Sequence, residues 1–139
     1  MKYFNYIFQG ALIFIVLASI AWIILSIVPF KEYDFEEQPY PVINKTLHVG
    51  DSLQIKVNYC KKTNAAGDIT QIWEGPSRVI INAGTYQSNK GCINTILTVP
   101  VPASLSPGTY VLHNHGEYPK YLVGKSKVDT FTERFEIIK

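Results

Sequence analysis

The sequence predicts an all-β domain, a sandwich of seven strands, carried behind one N-terminal transmembrane α-helix. Three observations point there. Residues 3–30 hold no Asp, Glu, Lys or Arg, whereas residues 31–139 hold 12 basic and 11 acidic side chains. From Val42 onward, short alternating runs are separated by Gly, Pro, Asn and Asp, the pattern of successive strands and turns. Two cysteines in so small a β domain fit a disulfide in an oxidising compartment. The expected division is an anchor over 1–30, a short acidic stalk over 31–41, and the sandwich over 42–139.

The anchor comes first in the chain. Residues 7–28 read IFQGALIFIVLASIAWIILSIV. As a helix these 22 residues span about 33 Å, against a hydrocarbon core of about 30 Å. Gln9 and Trp22 interrupt the apolar run, and Pro29 stands where a helix ends. Tyr3, Tyr6, Phe30 and Tyr33 are placed to form aromatic belts at the two interfaces. A cleaved signal peptide is the competing reading, because Ser19-Ile20-Ala21 resembles a small-x-small cleavage site. Cleavage there leaves an apolar WIILSIVPF terminus, and the run exceeds the 7–15 residues of a signal h-region. A retained signal-anchor is therefore expected, in contact with the bilayer through residues 7–28. Lys2 on one side and the acidic KEYDFEE on the other give a slight charge bias. With the cysteines, it sets the N-terminus in the cytoplasm and the domain outside, periplasmic or extracellular.

After the acidic, proline-ended stalk, residues 45–49 read as a first strand and Gly50-Asp51 as a turn. In SLQIKVNYC (52–60), Leu53, Ile55, Val57 and Tyr59 face one way and Gln54, Lys56, Asn58 and Cys60 the other. KKTNAAGD (61–68) reads as a loop. Residues 69–74 carry a central Trp73, and 78–83 follow a Gly-Pro-Ser turn. TYQSNKG (85–91) is a second loop. Residues 92–101 form a long strand with Ile93, Leu97, Val99 and Val101 inward. Residues 109–113 form a short strand, and 129–138 close the domain with Phe131, Phe135 and Ile137 inward.

Three local features resemble the immunoglobulin-like and fibronectin-type β-sandwiches. Val49-Gly50-Asp51-Ser52-Leu53 matches a turn from the first strand to the second. Trp73 falls where the third strand of such sandwiches carries a core Trp. Leu105-Ser106-Pro107-Gly108-Thr109-Tyr110 looks like a tyrosine corner. The resemblance covers residues 42–139 and implies buried structural roles for Trp73 and Tyr110. It also implies a pairing for the cysteines. Leu112, two residues after Tyr110, stands where antibody domains have Cys, so the bridge is not theirs. Cys60 instead ends the second strand and Cys92 opens the fifth, antiparallel neighbours in this fold, which implies a Cys60–Cys92 disulfide. The anchor-plus-domain layout also looks like small single-pass proteins of unknown role from bacteriophages and their hosts.

Few groups suggest chemistry. His113, His115 and Glu117 share one face if extended, a spacing suited to metal. A fourth ligand is not evident, and His48 is distant in sequence. The plainer reading is a polar strand end running into a loop broken by Gly116 and Pro119. Lys120, Lys125 and Lys127 with Tyr118 and Tyr121 form a basic, aromatic stretch suited to anionic lipid or glycan, or simply a solvated loop. Lys61, Lys62 and Lys90 read as solubilising charge. Asn44-Lys45-Thr46 is a glycosylation sequon. There is no G-x-S-x-G elbow or phosphate loop, and apart from Glu133 and Glu136 the carboxylates after the stalk are scattered singly, with no pair framed as in a glycosidase site, so no catalytic residue and no cofactor is expected. Net charge is only +2, with eleven Lys and two Arg and no basic tract, which gives nucleic acid no electrostatic footprint.

The expected function is not enzymatic. It is a binding or structural module at a membrane or envelope surface, contacting another protein whose identity the sequence does not carry. Two alternatives compete: a metal-binding or enzymatic domain around His113 and His115, and a helix-driven membrane accessory in lysis or transport. For the latter, Gly10, Ala11, Ala18 and Ala21 are the small residues available for helix packing.

Overall fold

The computed structural model describes residues 2–27, 33–35, 38–119 and 124–139. Helix α1 runs over Lys2–Ile27. Among the described residues it is the one helix long and apolar enough, by length and composition, to cross a membrane. The side chains from Gln9 to Leu25 are exposed. Within this apolar surface Ser19 and Ser26 each donate a hydroxyl proton to the carbonyl four residues back, Ile15 and Trp22, at 2.8 Å. Such back-bonding satisfies each hydroxyl within the helix itself. Pro29 and Phe30 lie outside the described residues, as do the side chains of Tyr3 and Tyr6.

Nine strands follow among the described residues, not seven: β1 Tyr33–Phe35, β2 Thr46–His48, β3 Ser52–Lys61, β4 Gly67–Glu74, β5 Arg78–Tyr86, β6 Gly91–Pro100, β7 Gly108–Pro119, β8 Lys125–Phe131 and β9 Phe135–Ile138. Two changes account for the difference. The segment expected to be stalk contributes β1, which pairs antiparallel with β3 (Asp34 opposite Cys60). The closing segment is broken at Thr132-Glu133-Arg134 into β8 and β9.

The strands form two sheets, β1-β3-β6 and β2-β9-β7-β4-β5, with β8 also paired to β7. Only β2 and β9 run parallel; the other pairs are antiparallel. The two sheets share one core. β3 alternates as its sequence dictates, with Leu53, Ile55, Val57 and Tyr59 buried. Facing them are Trp73, Tyr110, Leu112, Phe135 and Ile137. Trp73 is fully buried, edge-on to Phe135 at 5.9 Å. Tyr110 is also fully buried. Its hydroxyl donates to the Ser106 carbonyl at 2.9 Å and lies 2.7 Å from the Ser77 hydroxyl, tying the Gly75-Pro76-Ser77 turn to the start of β7.

Cys60 and Cys92 are joined, directly opposite one another in the β3–β6 ladder. Their Cα atoms are 3.9 Å apart, nearer than in most disulfides, as befits residues facing each other across adjacent strands.

Four burial assignments are corrected, two inward and two outward. Leu97 is 38 % exposed, because β6 ends its sheet and no described strand flanks it. Phe131 is 40 % exposed. In β8 the even residues Ser126 and Thr130 are buried, in β9 the odd residues Phe135 and Ile137, and the break between them reverses the phase. Tyr33 is core rather than interfacial belt, and its hydroxyl meets that of Tyr118 at 3.0 Å. Lys61, expected to be solvated, is 2 % exposed.

Candidate functional site

The segment expected to fray into a loop after His113 is strand throughout. β7 continues to Pro119, paired on one side with β4 and on the other with β8. Alternation then divides its side chains. Tyr110, Leu112 and Tyr118 point into the core, while His113, His115 and Glu117 share the outer face. Tyr118, expected in a basic loop, is 2 % exposed. Lys120 and Tyr121 lie outside the described residues.

The register assembles the rest of the face. Opposite His113 stand Ile72 of β4 and Phe131 of β8; beyond Ile72 stands Ile80 of β5. The His113 and Phe131 rings stack at 6.0 Å with 29° between planes. Ile80 is 58 % exposed. One row across four strands thus sets three apolar side chains beside an imidazole, with Ile80 and Phe131 exposed and Ile72 and His113 half-buried. Ile72, His113 and Phe131 of this row, with Glu74, Arg78 and His115, line a shallow depression of about 240 Å³.

The rim is charged and paired. His113 Nε2 lies 3.2 Å from Glu74 Oε2. His115 Nδ1 bonds the Asp129 carboxylate, and its Nε2 is 3.9 Å from Glu117 Oε1. Lys125 Nζ donates to Glu117 Oε2 at 2.8 Å, and Lys127 Nζ stands 4.0 Å from Oε1. The Lys125 hydrogen bond and charge hold the Glu117 carboxyl below the usual glutamate range, and Glu117 in turn raises Lys125.

This arrangement bears on the metal reading. His113, His115 and Glu117 do share a face, but both ring nitrogens of His115 are turned to carboxylates, and His113 has its own acid in Glu74. A ligating imidazole needs a free lone pair on one nitrogen and an orienting partner on the other. Among the described residues no three His, Cys, Asp or Glu side chains are grouped to hold an ion. The sequon is likewise engaged: the Asn44 amide donates to the Ser52 carbonyl and accepts from the Gln54 N–H, both at 2.8 Å.

Ile72, Ile80, Glu74 and Asp129 were not singled out from the sequence. They come together through the pairing of β4, β5, β7 and β8, and strand pairing is not carried by the alternation within any one of them. Phe131 was misassigned for the phase reversal described above. Comparison with protein-family models and with curated proteins finds no match to this chain.

Proposed function

We propose that the chain is a membrane-anchored, extracytoplasmic binding module, its domain an immunoglobulin-like sandwich that contacts another protein through the outer face of β5-β4-β7-β8. The observation that carries this reading is the uncovered row Ile80, Ile72, His113 and Phe131 with its rim of charge pairs. An apolar centre ringed by polar groups is the anatomy of a protein-binding patch. The pairs also leave few charges to desolvate alone.

Two further features support the rest of the proposal. The order β1-β3-β6 against β2-β9-β7-β4-β5, with β2 parallel to β9, supports the immunoglobulin-like reading, β1 and β2 together playing the part of a first strand divided between the sheets. A disulfide beside a bilayer-length apolar helix fits a domain outside the cytoplasm.

A photoreactive residue at position 80 of the full chain, activated in its native membrane, tests the face. It is expected to yield a discrete protein adduct that Phe131→Asp removes. The same probe at position 56, on the outer face of the other sheet, is expected to yield none. Equal labelling from both positions defeats the assignment.

A further inference from the structure

Sheet edges expose rows of unpaired backbone N–H and C=O groups, and proteins protect them with short strands, charges, proline or bulges, the last often marked by glycine. Four of the five described edges here are protected. β1 and β2 have three residues each. β8 carries Lys125, Lys127 and Asp129. β5 opens on Arg78, pairs through a register shift, and has Gly84 at φ +86°.

β6 has such devices only at its two ends, Gly91 at φ +142° and Pro100, and none between them. It is ten residues long, GCINTILTVP, without a charge. One side is paired to β3 along its whole length, from Gly91 opposite Lys61 to Pro100 opposite Ser52. No strand among the described residues pairs with the other side. Ile96 is 54 % exposed and Leu97 38 %. The disulfide fixes one end of this edge to β3.

We propose that β6 joins two copies of this chain, antiparallel and edge to edge, merging two three-stranded sheets into one of six strands. Main-chain geometry calls for a strand as occupant, and the composition of β6 suits β6 itself. A twofold axis through Ile96 sets Ile96 against Ile96, Thr95 against Leu97, Asn94 against Thr98 and Ile93 against Val99. Every pair keeps its sheet face, two pairs join β-branched residues, and no like charges meet. Half-exposed Leu97 gains cover. The surface is separate from the outer face of β5-β4-β7-β8, so either proposal can fail without the other.

The test is the mass of the full chain in detergent, followed by sedimentation over a dilution series. The parent is expected to be a dimer that dissociates on dilution. Ile96→Lys, which sets two ammonium groups on the axis, is expected to be monomeric where the parent is dimeric, with unchanged near-ultraviolet circular dichroism. Ile80→Lys, on the other face, is expected to stay dimeric. Alternate β6 amides should exchange with deuterium faster in Ile96→Lys than in the parent. If Ile96→Lys loses its near-ultraviolet signal, Leu97→Lys takes its place with the same expectation. A parent monomeric at every concentration overturns the proposal. So does a dimer that survives the β6 charge, which would assign pairing to the helix.

Discussion

Lys61 shows how one residue can obey a pattern that its chemistry argues against. The alternation of buried Leu53, Ile55, Val57 and Tyr59 continues inward to position 61, yet a lysine there reads as solvent-facing. It is buried because its charge is met: Nζ donates to the carbonyls of Ala65 at 2.5 Å and Ser88 at 3.1 Å, and lies 5.9 and 5.5 Å from the ring centres of Tyr33 and Tyr118. Hydrogen bonds to charged groups contribute about 1.5–3 kcal/mol. Lys61→Met is therefore expected to lower the unfolding free energy by a comparable amount, read as a lower urea midpoint at unchanged slope. Burial also raises the Tyr59 phenol above its ordinary range, helped by its contact with Tyr86, and does the same to Tyr40 beside Tyr33. For the two largest buried side chains the expectations differ in size. Trp73→Ala opens a cavity and should cost about 3–5 kcal/mol. Tyr110→Phe keeps the ring, leaves the Ser106 carbonyl and Ser77 unmet, and should cost about 1–3 kcal/mol. Equilibrium unfolding monitored by fluorescence measures both.

At the scale of elements, legibility followed the regularity of the strands. β3 was readable to within a residue because its polar and apolar positions alternate without a break. β7 was cut short in the reading because Gly116 and Pro119 look like breakers. In the fold, Gly116 is buried beside Ile69 and the Tyr118 ring, and Pro119 is merely the last strand residue. The candidate face was half legible. His113, His115 and Glu117 share a face by parity alone, but their neighbours across the sheet depend on which strands pair and in what register, which parity does not specify. The outer end of β7–β8 gives a pH expectation. Glu117 is depressed by Lys125, so their pairing is in force above the ordinary glutamate value of about 4.3 and is lost as pH falls through the lowered one. Lys125 is raised, so the contribution is complete below the ordinary lysine value of about 10.4 and is lost as pH rises past the raised one. An NMR titration should place the Glu117 carboxyl below the ordinary range, and in Lys125→Met it should move back up. An unchanged midpoint would count against the pairing.

The molecule as a whole joins an apolar helix to a domain whose two sheets share one core, and the boundary between them fell elsewhere than the composition suggested. KEYDFEE reads as spacer because of its acids, but Tyr33 and Phe35 alternate within it and pack against the core. Composition averaged over a window conceals a three-residue strand. Because the expected stalk enters the domain at Tyr33, the leash from α1 is shorter than the eleven residues that charge alone implied. The proposed anchoring predicts that the full chain fractionates with membranes and resists alkaline carbonate. A soluble form beginning at Trp22 would instead establish a cleaved leader. Unreduced protein from that membrane should yield the Cys60 and Cys92 peptides linked, and two freely alkylated thiols would refute an exterior location.

The joining of Cys60 to Cys92 has a mechanical consequence. A pull on the chain from its N-terminal side reaches the domain at β1, where Asp34 stands opposite Cys60, and Cys60 stands opposite Cys92. Tension that peels β1 from β3 next meets a covalent rivet in the β3–β6 ladder, so the segment from 60 to 92 is shielded from stretching. With 32 residues of separation at roughly 3.3–3.6 Å each, the hidden length is about 110 Å. Single-molecule extension between the two ends of the domain should release that length only after reductant is added.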